Sequence, residues 1–434
     1  MKQLTRLFIP ICLETLFYML SGMVDTLMLS AVGDYAVGAV GTANSYIGIF
    51  IIMFSIISSG MVSVMTQNIG AGRPGVAYQA RQLGLLFNAV AGVLMAVFLF
   101  SGAGAILRMV GIADALYEPA LIYLKIVGGG CILNAVIPIF SSYLRAFGYT
   151  KQPLYATIVG NIANFVMNAV FLFVLHKGVA GVATATVISK ILNLCIVLYF
   201  SHKLISAKNS TERISNKTVL GQIVKVGLPS ACETALYNVA MMLVIRFLNQ
   251  MDAEGLNVTA RSYTATISNF SYCVGAALAQ ANAIMTGWHI GAGELEECDR
   301  GTKRAAFVGV CVAVCMETAI VLGSGFIMPL FTDNPEMTAL VRKLLAIDIV
   351  LEIGRVTNLV FGQALKTSGD AVFPAVIAAV FMFVFAVGGT WLFGISMGFM
   401  AVGAYIGLAS DECVRAVGMV WRWKTGKWRT KKLV

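Results

Sequence analysis

The amino-acid sequence predicts an all-α polytopic membrane protein in which twelve transmembrane helices form two six-helix bundles related by a parallel internal repeat. Three observations carry that prediction. The 434 residues are 58% hydrophobic and only 12% charged, whereas charged residues make up about a quarter of an ordinary soluble domain. Twelve apolar stretches reach the roughly 20 residues that a spanning helix needs. Three motifs then recur at a near-constant offset of about 220 residues: IPICLET (9–15) as LPSACET (228–234), QNIGAG (67–72) as WHIGAG (288–293), and LRAFGYTKQP (144–153) as LKTSGDAVFP (365–374).

In chain order the apolar stretches lie near 7–31, 36–67, 83–107, 119–146, 153–175, 178–200, 223–249, 256–288, 304–330, 337–365, 373–395 and 398–421. Because six is even, the second copy starts on the same side of the membrane as the first, an arrangement used by alternating-access transporters. The long polar segment SHKLISAKNSTERISNKTVLGQ at 201–222 divides an N-lobe, 1–200, from a C-lobe, 223–421, and a basic tail occupies 422–434.

Cations cluster in alternate connections: Arg73 and Arg81; Arg145 and Lys151; Lys203, Lys208, Arg213 and Lys217; Arg300, Lys303 and Arg304; and the tail. The opposite connections hold only Arg108, Lys177, Arg342 and Lys343. This asymmetry predicts that both termini are cytoplasmic in a multi-pass protein of the cell inner (plasma) membrane. It also accounts for the formal net charge of +10 without a nucleic-acid partner. Lys2 to Arg6 run directly into a stretch of spanning length, so a retained helix is expected in place of a cleaved signal peptide. Eight of the nine cysteines lie in apolar segments and none has zinc spacing, so neither a disulfide framework nor a structural metal is expected.

The first apolar stretch carries Pro10, Glu14 and Asp25. A carboxylate at membrane depth is costly unless it faces a cavity or a partner, which makes each one a functional-site hypothesis. Glu14 returns in the second repeat as Glu233.

The segments VDT (24–26), QNIGAGRPGVAYQAR (67–81), LRAFGYTKQPLYATIVGNIANFVMNAVFLF (144–173) and GVAGVATATVIS (178–189) resemble the multidrug and toxic compound extrusion (MATE) family, with its prokaryotic DinF-like and NorM-like members nearest. The resemblance implies export of organic, often cationic, compounds driven by entry of sodium ions or protons. It implies that Asp25 lies in an N-lobe cavity with Asn164 of the fifth helix and Thr186 of the sixth, and that the first helix bends at Pro10. Two departures from the family pattern are visible. The acid that commonly follows the fifth-helix Asn by four residues is Asn168 here, and the tenth-helix position of the NorM-like C-lobe acid is Arg355.

Read on their own residues, Asn161, Asn164 and Asn168 share one helix face by their spacings of three and four. With Asp25 and Thr186 they offer the oxygen ligands that a hard monovalent cation needs. One acid balances one charge, so sodium and a proton both fit. The alternative is that the asparagines are interhelical hydrogen-bond glue. A second constellation combines Asp348, Glu352 and Arg355 of the tenth helix with Asp411, Glu412 and Arg415 of the twelfth. Its spacings suit ion pairs, so it reads either as a salt-bridge network or as a site in which a surplus carboxylate carries a proton.

The 21 Met, 25 Phe and 14 Tyr suit polyspecific recognition as well as plain packing, with Tyr18, Tyr46 and Tyr143 the first to inspect. IGAG lacks the GK[ST] ending of a phosphate loop and reads as a helix C-cap, so no ATP site is indicated. His176, His202 and His289 sit at helix ends with no metalloprotease motif, which disfavours an intramembrane enzyme. The membrane-depth acids outnumber Arg246, Arg355 and Arg415, and a net acidic interior suits cations better than the anionic cargo of a lipid-linked precursor flippase. The expected function is therefore secondary antiport of a small organic molecule by a monomer, with Na+ or H+ as coupling ion and no cofactor. A flippase or metabolite exporter of the same superfamily is the alternative.

Overall fold

The computed structural model describes residues 2–109, 111–206, 212–252 and 255–434; Lys208 and the centre of the expected linker lie outside them. The first repeat folds into α1 (Lys2–Ser30), α2 (Asp34–Gly70), α3 (Pro74–Met109), α4 in two parts (Asp114–Gly129 and Cys131–Ala146), α5 (Lys151–Val174) and α6 (Gly178–Leu204). The second gives α7 (Asn216–Met251), α8 (Leu256–Ala292), α9 (Leu295–Leu330), α10 (Pro335–Thr367), α11 (Val372–Ser396) and α12 (Met400–Lys424). Twelve helical units result, and several outrun the apolar stretches that predict them. The 37 residues of α2 would extend about 55 Å at 1.5 Å per residue, well past the hydrocarbon layer of about 30 Å.

Among the described residues, eight helices are long and apolar enough to cross a membrane, and α4 makes a ninth when its halves, bent by 42° at Gly130, count as one span. The three that fall short, α8, α10 and α12, pack on one another. Many of their polar residues, Thr264, Ser268, Asp348, Glu352, Asp411 and Arg415 among them, are buried, so these helices need less apolar surface toward lipid.

Backbone geometry repeats with the sequence. Gly72 and Gly293, and Gly148 and Gly369, all adopt positive φ, from 75° to 95°. Each turn closes with a residue that donates back across a helix end: Arg73 to Asn68 (2.8 Å), Glu294 to His289 (2.8 Å), Tyr149 to Leu144 (2.9 Å) and Asp370 to Leu365 (3.0 Å). This is the Schellman cap, in which glycine takes the left-handed position at no steric cost. Both IGAG motifs are such caps. The π-helical turns Val170–Val174 and Thr390–Ser396 fall at equivalent places in α5 and α11.

Two compact units divide the chain, Ile9–Gly227 and Leu228–Val434 together with Met1–Phe8. In the first unit, Asn88 of α3 donates to the carbonyls of Phe54 (3.3 Å) and Ala135 (3.0 Å), tying α2 and α4 together. The start of α7 belongs to this unit, because a Cβ on Gly227 would lie 1.7 Å from the Ile56 carbonyl oxygen and one on Gly60 2.0 Å from that of Ile223. Gln79 further secures the segment through Ile214 (2.7 Å). The unit boundary therefore lies at 227/228, beyond the polar segment 201–222.

In the second unit, Asp252 accepts the backbone N–H groups of Leu256 (2.7 Å) and Asn257 (3.0 Å), which caps the start of α8. The basic tail folds onto the same unit. Trp428 stacks on Trp423 at 4.2 Å, Trp423 donates to Asp299 (2.7 Å), and Arg422 forms a two-pronged pair with Asp370 (2.7 and 3.1 Å).

Candidate functional site

In the first unit, Asp25 is met by the face of α5 that the Asn spacing defines. Asn168 donates to Asp25 Oδ1 (2.8 Å) and lies 3.1 Å from Asn164 Oδ1, while Asn161 donates to the Phe17 carbonyl (2.9 Å). Asn164 and Asn168 are buried. Asn161 and Asn168 thus make the α1–α5 contact, and Asn164 supports Asn168 from within α5. Thr186 donates its hydroxyl to the Val182 carbonyl of its own helix (2.9 Å) and also meets the Tyr123 hydroxyl. Pro10 lies inside an α1 that is helical throughout Lys2–Ser30.

Sequence reasoning missed a cation here. Lys190, one turn after Thr186, donates to Asn134 (2.8 Å) and is near enough to Asp25 for the two charges to interact. The signal was present in the sequence, since a lysine in the apolar run VISKILNLC is itself an intramembrane charge.

Glu14 and Glu233 are both paired, and in the same way. Glu14 binds Arg145 (2.6 Å), and its repeat equivalent Glu233 binds Lys366 (2.8 Å). Arg145 and Lys366 occupy the same place in the repeated LRAFG and LKTSG turns, so each unit ties its first helix to the end of its fourth through one ion pair.

The second unit encloses a cavity of about 480 Å³ between α7, α8, α10, α11 and α12. The predicted C-lobe cluster lines its wall or stands just behind it. Arg415 pairs with Asp411 through two nitrogens (3.0 and 2.8 Å) and with Glu412 (2.8 Å). Arg355 pairs with Glu352, lies 3.8 Å from Glu412 and stands 5.8 Å over the Tyr272 ring. Glu412 also accepts from Asn358 (3.0 Å). Of the six cluster residues, only Asp348 has no ion-pair partner among the described residues.

The wall of this cavity is not itself net acidic, although the buried Glu352 and Glu317 beside Asp348 add two further acids to the unit's interior. Arg261, Arg355, Lys366 and Arg415 line the cavity against Glu233, Asp348, Asp411 and Glu412, an even balance. A count of apolar stretches could not assign Arg261 and Lys366 to the wall of a cavity. Among the tyrosines, Tyr18 is exposed and Tyr46 packs against the first unit's core. Tyr143 is buried 5.2 Å beneath the Arg81 guanidinium.

A carboxylate on the first helix that accepts from Asn168, a duplicated six-helix plan and a polar cavity in the second unit are thus in place. A family model described as MatE matches residues 10–170 and 229–392. The chain belongs to the MATE family.

MATE proteins are transporters, so this protein is a transporter and not an enzyme. It is 33% identical over 428 residues to an uncharacterized transporter of Bacillus subtilis (strain 168), YisQ, covering 97% of this chain and 94% of the relative. It is 20% identical over 454 residues to the probable multidrug resistance protein NorM of Thermotoga maritima, covering 100% and 94%. Among solved structures, a MATE protein in its bent conformation matches with a TM-score of 0.86 at 20% identity, over 99% of this chain and 96% of that one. A straight conformation matches with 0.86 at 21%, over 99% and 97%. At these identities the structural likeness establishes the twelve-helix MATE fold.

Proposed function

We propose that the protein is a secondary active antiporter that exports small organic compounds, cationic ones foremost, in exchange for Na+ or H+. It works as a monomer in the cell inner membrane with both termini cytoplasmic. The observation that carries this reading is Asp25, a membrane-depth carboxylate held by Asn168 (2.8 Å) in the position the MATE resemblance marks. A probable multidrug resistance protein among the relatives supports the substrate class. Ion uptake at Asp25 changes the charge of the N-lobe site, and the substrate then leaves because ion and substrate bind with negative coupling.

The test is efflux of a fluorescent organic cation from proteoliposomes under separately imposed sodium and pH gradients. Efflux that follows one gradient supports the reading and names the ion. Dye retained under both gradients sinks it.

The hinge for alternating access has two candidates. The unit boundaries fall between Phe8 and Ile9 and between Gly227 and Leu228, each one residue ahead of a proline, Pro10 and its repeat equivalent Pro229. Proline lacks the N–H that would bond four residues back, so each helix is weakened where it passes from one unit to the other. Restoring one hydrogen bond stiffens a helix by about 1 kcal/mol, or about fivefold in a rate that depends on bending there. Pro10→Ala and Pro229→Ala are each expected to slow efflux by roughly that factor while leaving the thermal unfolding midpoint unchanged or raised. Unaltered efflux in both variants would exclude the two hinges.

The even charge balance of the C-lobe cavity favours one further reading, a zwitterionic metabolite as cargo. Competition between dye efflux and added amino-acid-like zwitterions distinguishes it from cation export.

A further inference from the structure

Four cations line the cavity of the second unit, and three of them are taken. Arg355 pairs with Glu352, Lys366 with Glu233 (2.8 Å), and Arg415 with Asp411 and Glu412 (2.8 Å each). Arg261 of α8 is the exception. Among the described residues no carboxylate forms an ion pair with it, and its hydrogen bond runs from Nη2 to the Met241 sulfur (3.9 Å). A thioether is a weak acceptor, whereas the planar fork of a guanidinium matches a carboxylate. A half-buried arginine on a membrane helix calls for a partner, and Arg261 presents itself to the cavity without one.

Of the acids in the same wall, Asp348 alone has no ion pair among the described residues. Behind it lie Glu317 and Glu352, both wholly buried, each with a carboxylate oxygen within 4.8 Å of one on Asp348. Neither of the two lines the cavity, so a group in the cavity meets this acidic side of the wall at Asp348. The charges of Arg355 and Glu412 also reach Asp348, and both residues are engaged in the pairs above. Arg261 and Asp348 form no pair with each other, yet the charges of both reach the hydroxyl of the buried Tyr405. One spot of the wall is therefore flanked by an unpaired cation and an unpaired acid. Tyr237, Tyr272, Met241, Leu359 and Leu408 give the cavity apolar and aromatic surface.

We propose that Arg261 receives the carboxylate of a zwitterionic cargo of amino-acid type, whose ammonium faces Asp348 and whose bulky apolar or aromatic tail packs against Tyr237 and Tyr272. The proposal rests on the zwitterion reading of the cavity and supplies its head-group site. A plain organic cation leaves the Arg261 guanidinium without a partner, and a plain anion leaves Asp348 without one. Specificity then comes from the cost of an unpaired charge in the rejected complex. The cavity, at about 480 Å³, has the volume of a pocket for a small organic molecule. The site lies in the other unit from Asp25 and shares no residue with it.

Equilibrium binding of radioactive phenylalanine to the full-length protein in detergent tests this, with phenethylamine and phenylpropionate, each lacking one of its charges, as competitors. The native protein is expected to hold phenylalanine at least about tenfold more tightly than either competitor, since each forfeits a charged hydrogen bond. Arg261→Gln is expected to remove the preference over phenethylamine while phenethylamine itself binds as before, a split that a general loss of packing would not produce. Arg261→Lys keeps the charge without the fork, is expected to retain part of the preference, and serves with the native ranking if Arg261→Gln fails to fold. Phenethylamine that competes as well as phenylalanine for the native protein overturns the proposal, as does the absence of saturable phenylalanine binding. So does a preference that Arg261→Gln leaves unaltered. Failed dye efflux with Arg261-dependent binding intact would instead overturn the antiport reading and leave the site standing.

Discussion

Replacing Asp25 by asparagine is expected to cut gradient-driven export by one to two orders of magnitude while the protein folds normally. The substitution keeps the size of the side chain and can still accept from Asn168, which donates at 2.8 Å. What it removes is the one charge that a coupling ion would neutralise. A hydrogen bond to a charged group is worth about 1.5–3 kcal/mol, so the coupled rate should fall by roughly 10- to 150-fold. The loss also strips Lys190 of the charge with which it interacts. Asn168→Asp supplies the converse test, because it places a second carboxylate within a hydrogen bond's length of the first. Like charges at that distance oppose joint ionisation, and export should again fall, with a shifted dependence on pH. Thr186→Ala should change export less than either, since that hydroxyl donates to the Val182 carbonyl of its own helix and meets Tyr123, not Asp25 itself. Asp25→Asn protein that exports with unchanged ion dependence would remove Asp25 from the mechanism.

What could be read in advance was whatever depends on neighbours in sequence. The Asn164–Asn168 face, the Glu352–Arg355 pair and the Asp411–Arg415 pair follow from spacings of three and four on a helix, and all three form. The glycines of IGAG announce left-handed caps, and Gly72 and Gly293 adopt them. The relations that escaped join residues far apart in the chain. Glu14 meets Arg145 across 131 residues and Lys190 meets Asn134 across 56. No periodicity encodes such pairings, because they depend on how helices rotate when they pack. Glu317 shows a different failure. It was passed over although it lies in the apolar run VCMETAIV, and its closeness to Asp348 and Glu352 depends on the convergence of α9 with α10, which spacing within one helix cannot express.

Arg415→Leu is expected to cost about 3–5 kcal/mol of stability, the range for removing one partner of a buried ion pair. Arg415 is buried, and its guanidinium holds both oxygens of Asp411 (3.0 and 2.8 Å) and one of Glu412 (2.8 Å). Leucine fills much of the volume but leaves two buried carboxylates facing each other with only Arg355 nearby, 3.8 Å from Glu412. Arg415→Lys should recover part of the loss, since it restores the charge but not the planar fork that spans two carboxylates. The exposed pair of Arg300 with Glu297 (2.9 Å) is the control. Water already solvates both partners there, so Arg300→Leu should cost no more than about 1 kcal/mol. Thermal unfolding midpoints of the three variants in detergent decide the matter. A midpoint for Arg415→Leu as high as that of Arg300→Leu would mean that Asp411 and Glu412 do not need the arginine, and that one of them is held neutral in the folded protein. A large loss that Asp411→Asn partly rescues would instead make Arg415 the residue that lets two acids stand side by side on α12.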